Sequence, residues 1–282
     1  MLIFNKQSLL IAHLMPFWTS KTAIGFVPTM GALHAGHLSL LAKSLENNTI
    51  TVMSIFVNPT QFNNSEDLAK YPRTLESDVE KIASLDKNIV VFAPSVEDIY
   101  AKDITSKTFN YDGLENLMEG KHRPGHFDGV GTIVKRLFEI VKPTRAYFGE
   151  KDFQQLQIVK KLVQKNNIPV QIVGCSIHRE EHGLALSSRN ERLSAIERSE
   201  AGLIFKTLQE AKKRFGMKSA SEVSKFVENV FKNHATMRLE YFEIADETTL
   251  KTCVQKSKNK QYRAFIAVFI NNIRLIDTIS LN

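Results

Sequence analysis

Two imidazoles, His34 and His37, stand three positions apart around Gly36 in the stretch GFVPTMGALHAGHLSLL, Gly25 to Leu41. On a helix this spacing puts both rings on one face, where both reach one ligand. Gly36 removes the side chain that would block close approach. An isolated H-x-x-H is more often an exposed polar pair or a weak metal site. Zinc would want a third ligand and usually an H-E-x-x-H frame, and neither is present. The apolar run ahead, Ala23 to Val27, reads as a buried strand that Pro28 stops, because proline has no N–H to give to a central ladder. Leu38, Leu40, Leu41 and Leu45 behind carry a helical pattern. A strand, a tight turn and a helix start therefore hold the imidazoles, and the unpaired N–H groups of such a start attract phosphate. This context favours nucleotide phosphate over zinc.

Other residues offer matching chemistry. Gln61 follows the run Thr49 to Asn58. Its carboxamide both donates and accepts, which suits a hydroxyacid, although by position it reads equally as an ordinary loop residue. Lys121, His122, Arg123 and His126 form a basic loop that could close over phosphates or simply be solvated. Lys151 is a compact cation at a strand end, and Asp152 reads as a helix N-cap. Ser187, Ser188 and Arg189 supply two hydroxyls and a planar donor fork, suited to polyphosphate but common in loops.

The elements that must position these groups follow from hydrophobic patterning. Residues before Ala23 read as a helix outside the sheet, and Thr49 to Asn58 as a second buried strand. Strand, helix, strand is a βαβ unit with a parallel sheet, whose ligands bind beyond the strand C-termini. A helix is expected over Tyr71 to Asp86, with Pro72 at its start and Thr74 as N-cap, then a strand over Asn88 to Pro94. Ser95 to Asn116 reads as a connection with a short strand. A loop from Glu119 leads to a helix from about Phe127. A strand over Arg145 to Phe148, a turn at Gly149, a helix from Asp152 and a strand within Ile168 to Glu180 complete the pattern. From Ser194 two helical stretches, 195–215 and 219–233, precede strand-like runs at 239–245, 262–270 and 273–276. The expected fold is α/β: a Rossmann-like parallel-sheet domain over 1–178 and a smaller α+β domain over 179–282.

The 282 residues are 43% apolar and 24% charged, an ordinary globular composition. A net charge of +7 allows nucleic acid, an anionic membrane or a polyphosphate pocket. The basic residues are scattered, which argues against nucleic acid. No apolar run is long enough for a bilayer, and no cleavable leader is legible. Cys175 and Cys253 have no metal spacing, and Cys175 reads as a buried small hydrophobe. A reducing cytoplasm is expected.

PTMGALHAGH resembles the HxGH nucleotide-binding signature of the class I aminoacyl-tRNA synthetase and nucleotidyltransferase superfamily. Its wording is similar to that of the pantoate–β-alanine ligases. NPTQF, RPGHF, GEKDFQQL and LSSRN follow in that family's order. The resemblance implies ATP-dependent condensation of pantoate with β-alanine through an acyl adenylate, with Mg²⁺ and no protein-held metal. It implies ATP binding by Met30, Gly31, Ala32, Leu33, His34, Ala35, Gly36, His37, Gly149, Glu150, Lys151, Asp152, His178, Leu186, Ser187, Ser188 and Arg189. It implies pantoate binding by Gln61 and Gln155, a β-alanine site bordered by Gln61, and Arg123 on the pyrophosphate side. His37 is implied as the catalytic residue, the 179–282 domain as a lid, and the assembly as a homodimer. The sequence departs from the family at Leu186, usually methionine, and at His178 and His182, more often valine and aspartate. The Leu-for-Met exchange conserves volume. Two other readings remain open: an adenylating relative acting on another small acid or a nucleotide phosphate, and a non-catalytic nucleic-acid-binding protein.

Overall fold

The computed structural model describes residues 1–282. In chain order the regular elements of the first two-thirds are β1 (Leu2–Phe4), α1 (Gln7–Thr19), β2 (Ile24–Thr29), α2 (Ala35–Asn47), β3 (Ile50–Ile55), α3 (Ser65–Lys70), α4 (Leu75–Leu85), β4 (Val90–Phe92), α5 (Val96–Tyr100), α6 (Met118–His122), α7 (His126–Val141), β5 (Arg145–Gly149), α8 (Phe153–Lys165) and β6 (Gln171–Cys175). Then come α9 (Ala195–Glu200), α10 (Gly202–Phe215), α11 (Ala220–Phe231), β7 (Met237–Asp246), β8 (Tyr262–Ile270) and β9 (Ile273–Ser280). The chain divides into two compact units, Met1–Gly149 with Gln155–Cys175, and Glu150–Gln154 with Ser176–Asn282.

The first unit is a six-stranded parallel sheet ordered β1-β4-β3-β2-β5-β6. From β2 the chain steps through β3 and β4 on one side, then returns to lay β5 against the other side of β2. The order thus reverses between β2 and β5, and in open parallel sheets ligands bind outside the strand ends at such a switch point. Leu40 and Leu41 of α2 and Ile82 of α4 cover one face of the sheet, packed with Val27, Met53, Val91 and Tyr147. Helix α7 buries Val130, Ile133, Val134, Leu137, Ile140 and Val141, the stripe that its spacing requires.

Several expectations for this unit are corrected. The N-terminal segment is not helix alone: β1 pairs with β4 before α1 begins. Pro28 does not stop β2 but lies within it, in register with Ser54. The Thr29 carbonyl accepts from Phe56 N–H on the β3 side, so the position before it faces away. On that side the β5 ladder ends at Phe26, so no donor is missed at Pro28. Ser95 to Asn116 holds α5 and a 3₁₀ turn at Leu114–Asn116 rather than a strand. The basic segment after Glu119 is partly helical, as α6. Pro72 precedes α4 by three positions, and α3 was not legible. Cys175 is half-buried, whereas Cys253 is buried.

In the second unit β7, β8 and β9 form an antiparallel sheet in that order. Ile204, Leu208 and Ala211 of α10 and Val223, Val227 and Phe231 of α11 share a core with Ile266, Val268 and Ile270 of β8. Ser194 and Ser219 begin α9 and α11 as capping boxes with Glu197 and Glu222, each serine oxygen accepting the N3 amide.

Candidate active site

Strand β2 ends at Thr29, and Met30 leads into a turn made by two left-handed residues, Gly31 (φ +83°) and Ala32 (φ +51°). A β-carbon at Gly31 would meet Asp78 and Ile55 at 3.0 Å. Ala32 adopts this conformation at a cost, and α4 supplies the compensation. Asp78, fully buried, accepts from the N–H groups of Ala32 (2.9 Å) and Leu33 (2.7 Å). Lys81, one helical turn on, donates to the Leu33 carbonyl at 2.8 Å. One helix thus holds both the amides and the carbonyl of the turn.

His34 is the N-cap of α2, in extended conformation, and Ala35, Gly36 and His37 form its first turn. The imidazole rings of His34 and His37 lie 4.0 Å apart between centroids, tilted by 33°. The His34 backbone N–H donates to His37 Nδ1 at 3.3 Å. An imidazole that accepts at Nδ1 carries its proton on Nε2, so the ring N–H of His37 is at Nε2.

The β3 strand leads to Asn58 and a 3₁₀ turn, Pro59–Gln61. Buried Asn58 donates from Nδ2 to Gln61 Oε1 and to the Gly129 carbonyl, both at 3.2 Å. Gln61 Nε2 donates to Met30 Sδ at 3.1 Å, which ties this turn to the residues before His34. The Gln61 carbonyl is held by His126 Nδ1 (2.8 Å) and Arg123 (3.3 Å). Arg123 also reaches Glu119 at 3.6 Å and His126 Nε2 at 3.1 Å. At Gly129 a β-carbon would lie 2.2 Å from the Thr60 carbonyl oxygen, so only glycine lets α7 approach this turn. Met30, Gln61 and Arg123 are therefore brought together, as are His34 and His37. Gln155 stands half-buried on α8 of the same unit.

Apart from Gly149, the last residue of the first unit's long segment, the other expected residues belong to the second unit. Gly149 ends β5, and Glu150–Asp152 form a 3₁₀ turn in which Lys151 Nζ lies 3.7 Å from Asp152. Arg263 of β8 pins this turn: it pairs with Glu150 at 3.3 Å and Glu247 at 3.0 Å and lies over the Phe153 ring at 4.0 Å. His178 is exposed, and its carbonyl accepts from Leu186 N–H at 2.9 Å. With the Arg179–Ala185 bridge, this bond folds residues 178–186 back on themselves. Arg179 clamps that fold to buried Asp277 through two bonds, 2.6 and 3.0 Å, and lies over the Phe205 ring. Burial raises the Asp277 carboxyl above the ordinary range, against the pull of Arg179. His182 Nε2 lies 2.8 Å from the Arg198 carbonyl oxygen. Ser187 Oγ accepts from Arg189 N–H at 3.2 Å and starts the 3₁₀ turn Ser188–Arg192, in which Ser188 is buried.

Asp78, Lys81, Asn58, Tyr100 and His126 are structural partners that the sequence reading did not single out as such. The signal available was Asp78 and Lys81 on one helix face, indistinguishable there from surface charge. No three His, Cys, Asp or Glu side chains gather into a metal cage.

The family model of pantoate-beta-alanine ligase matches residues 3–280. A pantothenate synthetase of Flavobacterium psychrophilum is 68% identical over 100% of both chains, and one of Christiangramia forsetii 53% identical, also over 100% of both. A crystal structure of pantothenate synthetase from Thermus thermophilus superposes with a TM-score of 0.92 at 38% identity, covering 100% of this chain and 99% of that one. A pantoate-beta-alanine ligase from Francisella tularensis, complexed with β-γ ATP and β-alanine, superposes at 0.83 with 36% identity, over 100% and 98%. Matched over nearly its whole length by the family model and by these relatives, the chain belongs to the pantoate–β-alanine ligase family.

Proposed function

We propose that this ligase activates pantoate with ATP and passes the acyl group to β-alanine, and that the residues described divide the work as follows. A carboxylate carbon is too poor an electrophile to react with an amine in water. A pantoate carboxylate oxygen therefore attacks the α-phosphorus of ATP, and the bond to the β-phosphate oxygen breaks, giving pantoyl adenylate and pyrophosphate. The β-alanine amine then attacks the acyl carbon, loses a proton and expels AMP, leaving pantothenate. No enzyme nucleophile is required. Catalysis is positioning and charge stabilisation, and positioning alone is worth roughly 7–11 kcal/mol in favourable cases.

The observation that carries the proposal is the His34–His37 pair. A backbone bond at Nδ1 puts the His37 ring proton on Nε2, a donor suited to the charge that grows on the α-phosphate. His34, with Met30, Gly31, Ala32, Leu33, Ala35 and Gly36, lines the phosphate side of the nucleotide. Gln61 and Gln155 take pantoate, Gln61 also borders β-alanine, and Arg123 serves the pyrophosphate side. Gly149, Glu150, Lys151, Asp152, His178, Leu186, Ser187, Ser188 and Arg189 complete ATP binding, with Lys151, Ser187, Ser188 and Arg189 neutralising the leaving pyrophosphate. In this reading the 1–178 domain binds ATP and pantoate, and the 179–282 domain is a lid that brings Leu186, Ser187, Ser188 and Arg189 to the nucleotide.

Mg²⁺ in such chemistry is held mainly by phosphates, water and one or two carboxylates. Asp152, about half exposed beside Lys151, is the carboxylate that fits this role. When bound, the ion supplies positive charge to the departing phosphates. We further assign a homodimer through the N-terminal domain, as in the family resemblance, and a cytoplasmic location consistent with two free thiols. No helix is long and apolar enough to cross a membrane.

Pantoate labelled with heavy oxygen in its carboxylate tests the chemistry. The proposal requires one labelled oxygen to appear in AMP. Unlabelled AMP would rule out attack by the carboxylate.

A further inference from the structure

Asn58 is 1% exposed and occupies all of its hydrogen-bonding ends. Its Nδ2 bonds the Gly129 carbonyl and Gln61 Oε1. Its Oδ1 accepts from the Tyr100 hydroxyl at 2.6 Å and from Thr60 Oγ1 at 3.1 Å. The two hydroxyls lie 3.1 Å apart. Three close pairs share two hydroxyl protons, and the shortest contact takes that of Tyr100. Burial raises the Tyr100 hydroxyl above its ordinary value, which keeps it protonated and a donor.

This arrangement has a consequence for Gln61. Asn58 occupies the carbonyl end of its amide, so the NH₂ end is left to face other groups. That end rests on Met30 Sδ, a weak acceptor that a carboxylate or hydroxyl oxygen readily displaces. We propose that Tyr100 is a positioning residue for acid recognition: its hydroxyl holds Asn58, which holds Gln61 with its NH₂ end turned toward the oxygen atoms of the acid substrate. The inference rests on the assignment of Gln61 to pantoate. Tyr100 itself touches no reacting atom.

Steady-state kinetics of the full chain test this with Tyr100→Phe, Tyr100→Phe/Thr60→Val, Gln61→Ala and the Tyr100→Phe/Gln61→Ala pair. Tyr100→Phe should raise KM for pantoate about three- to tenfold, the scale of one hydrogen bond, with KM for ATP and Tm little changed. Adding Thr60→Val, which strips Asn58 Oδ1 of its second donor, should raise it further. In the Gln61→Ala background the Tyr100 change should add less than about twofold, because both act through one group. If Gln61→Ala raises KM for pantoate but Tyr100→Phe does not, the Tyr100 role is overturned. It is also overturned if Tyr100→Phe raises both KM values equally with a lowered Tm, or keeps its full effect without Gln61. If Gln61→Ala itself leaves KM for pantoate unchanged, the Gln61 assignment has failed and the positioning role falls with it.

Discussion

The His34 backbone N–H donates to Nδ1 of His37 at 3.3 Å, and the two imidazoles lie 4.0 Å apart. The first turn of α2 thereby fixes which nitrogen of His37 carries the proton. His37→Ala should reduce kcat by about a hundredfold or more while KM for ATP changes little, because the lost bond matters most as charge develops. Near-wild-type turnover in this variant would remove His37 from the chemistry.

Asp78 holds two amides of a turn in which Ala32 is left-handed. Asp78→Ala leaves both donors without their acceptor, which should cost about 1–3 kcal/mol in urea unfolding and lower kcat/KM as the turn relaxes. Unchanged stability and activity together would show that the turn holds itself.

The HxGH turn was legible because its chemistry is local: two histidines, one glycine and a preceding apolar run lie within a single stretch. Its support was not. Asp78 and Lys81 sit on α4, more than forty positions from the turn they hold, and a helix with Glu76, Glu80 and Lys81 reads as solvated. Pro28 was misread because only the end of the β5 ladder at Phe26 makes room for a proline in a central strand. Ser95 to Asn116 carried no clear period, and α5 is held there by a Ser95 cap and by the bond that the Gln7 backbone N–H donates to Asp98. The α6 segment is short, and its glycine and histidine content masked it.

Gly129 allows α7 to pack on the turn that carries Gln61. A β-carbon there meets backbone at 2.2 to 2.8 Å, which no side-chain rotation relieves. Gly129→Ala should therefore displace the Gln61 turn and raise KM for pantoate more than KM for ATP, with about 1–3 kcal/mol lost in denaturant unfolding. Equal KM values in variant and wild type would contradict the packing argument.

Glu197 and Glu222 close the capping boxes of α9 and α11, and the backbone amides of Ser194 and Ser219 hold both carboxyls below the ordinary glutamate value of 4.5. A lowered folded-state value means that the unfolded chain binds protons first as pH falls. This stabilisation is thus fully present above about pH 4.5 and is lost as pH falls through the folded values. Tm measured against pH should drop less steeply below that point in the Glu197→Gln/Glu222→Gln variant. An identical acid limb would show that the caps do not couple to protons.

The most direct measurement is ATP–pyrophosphate exchange with Mg²⁺ and pantoate but no β-alanine. Exchange should depend on pantoate and fall about a hundredfold or more in His37→Ala, because adenylate formation is a complete and reversible first half-reaction. Exchange that is absent until β-alanine is added, in folded protein that binds ATP, would contradict an independent adenylation step.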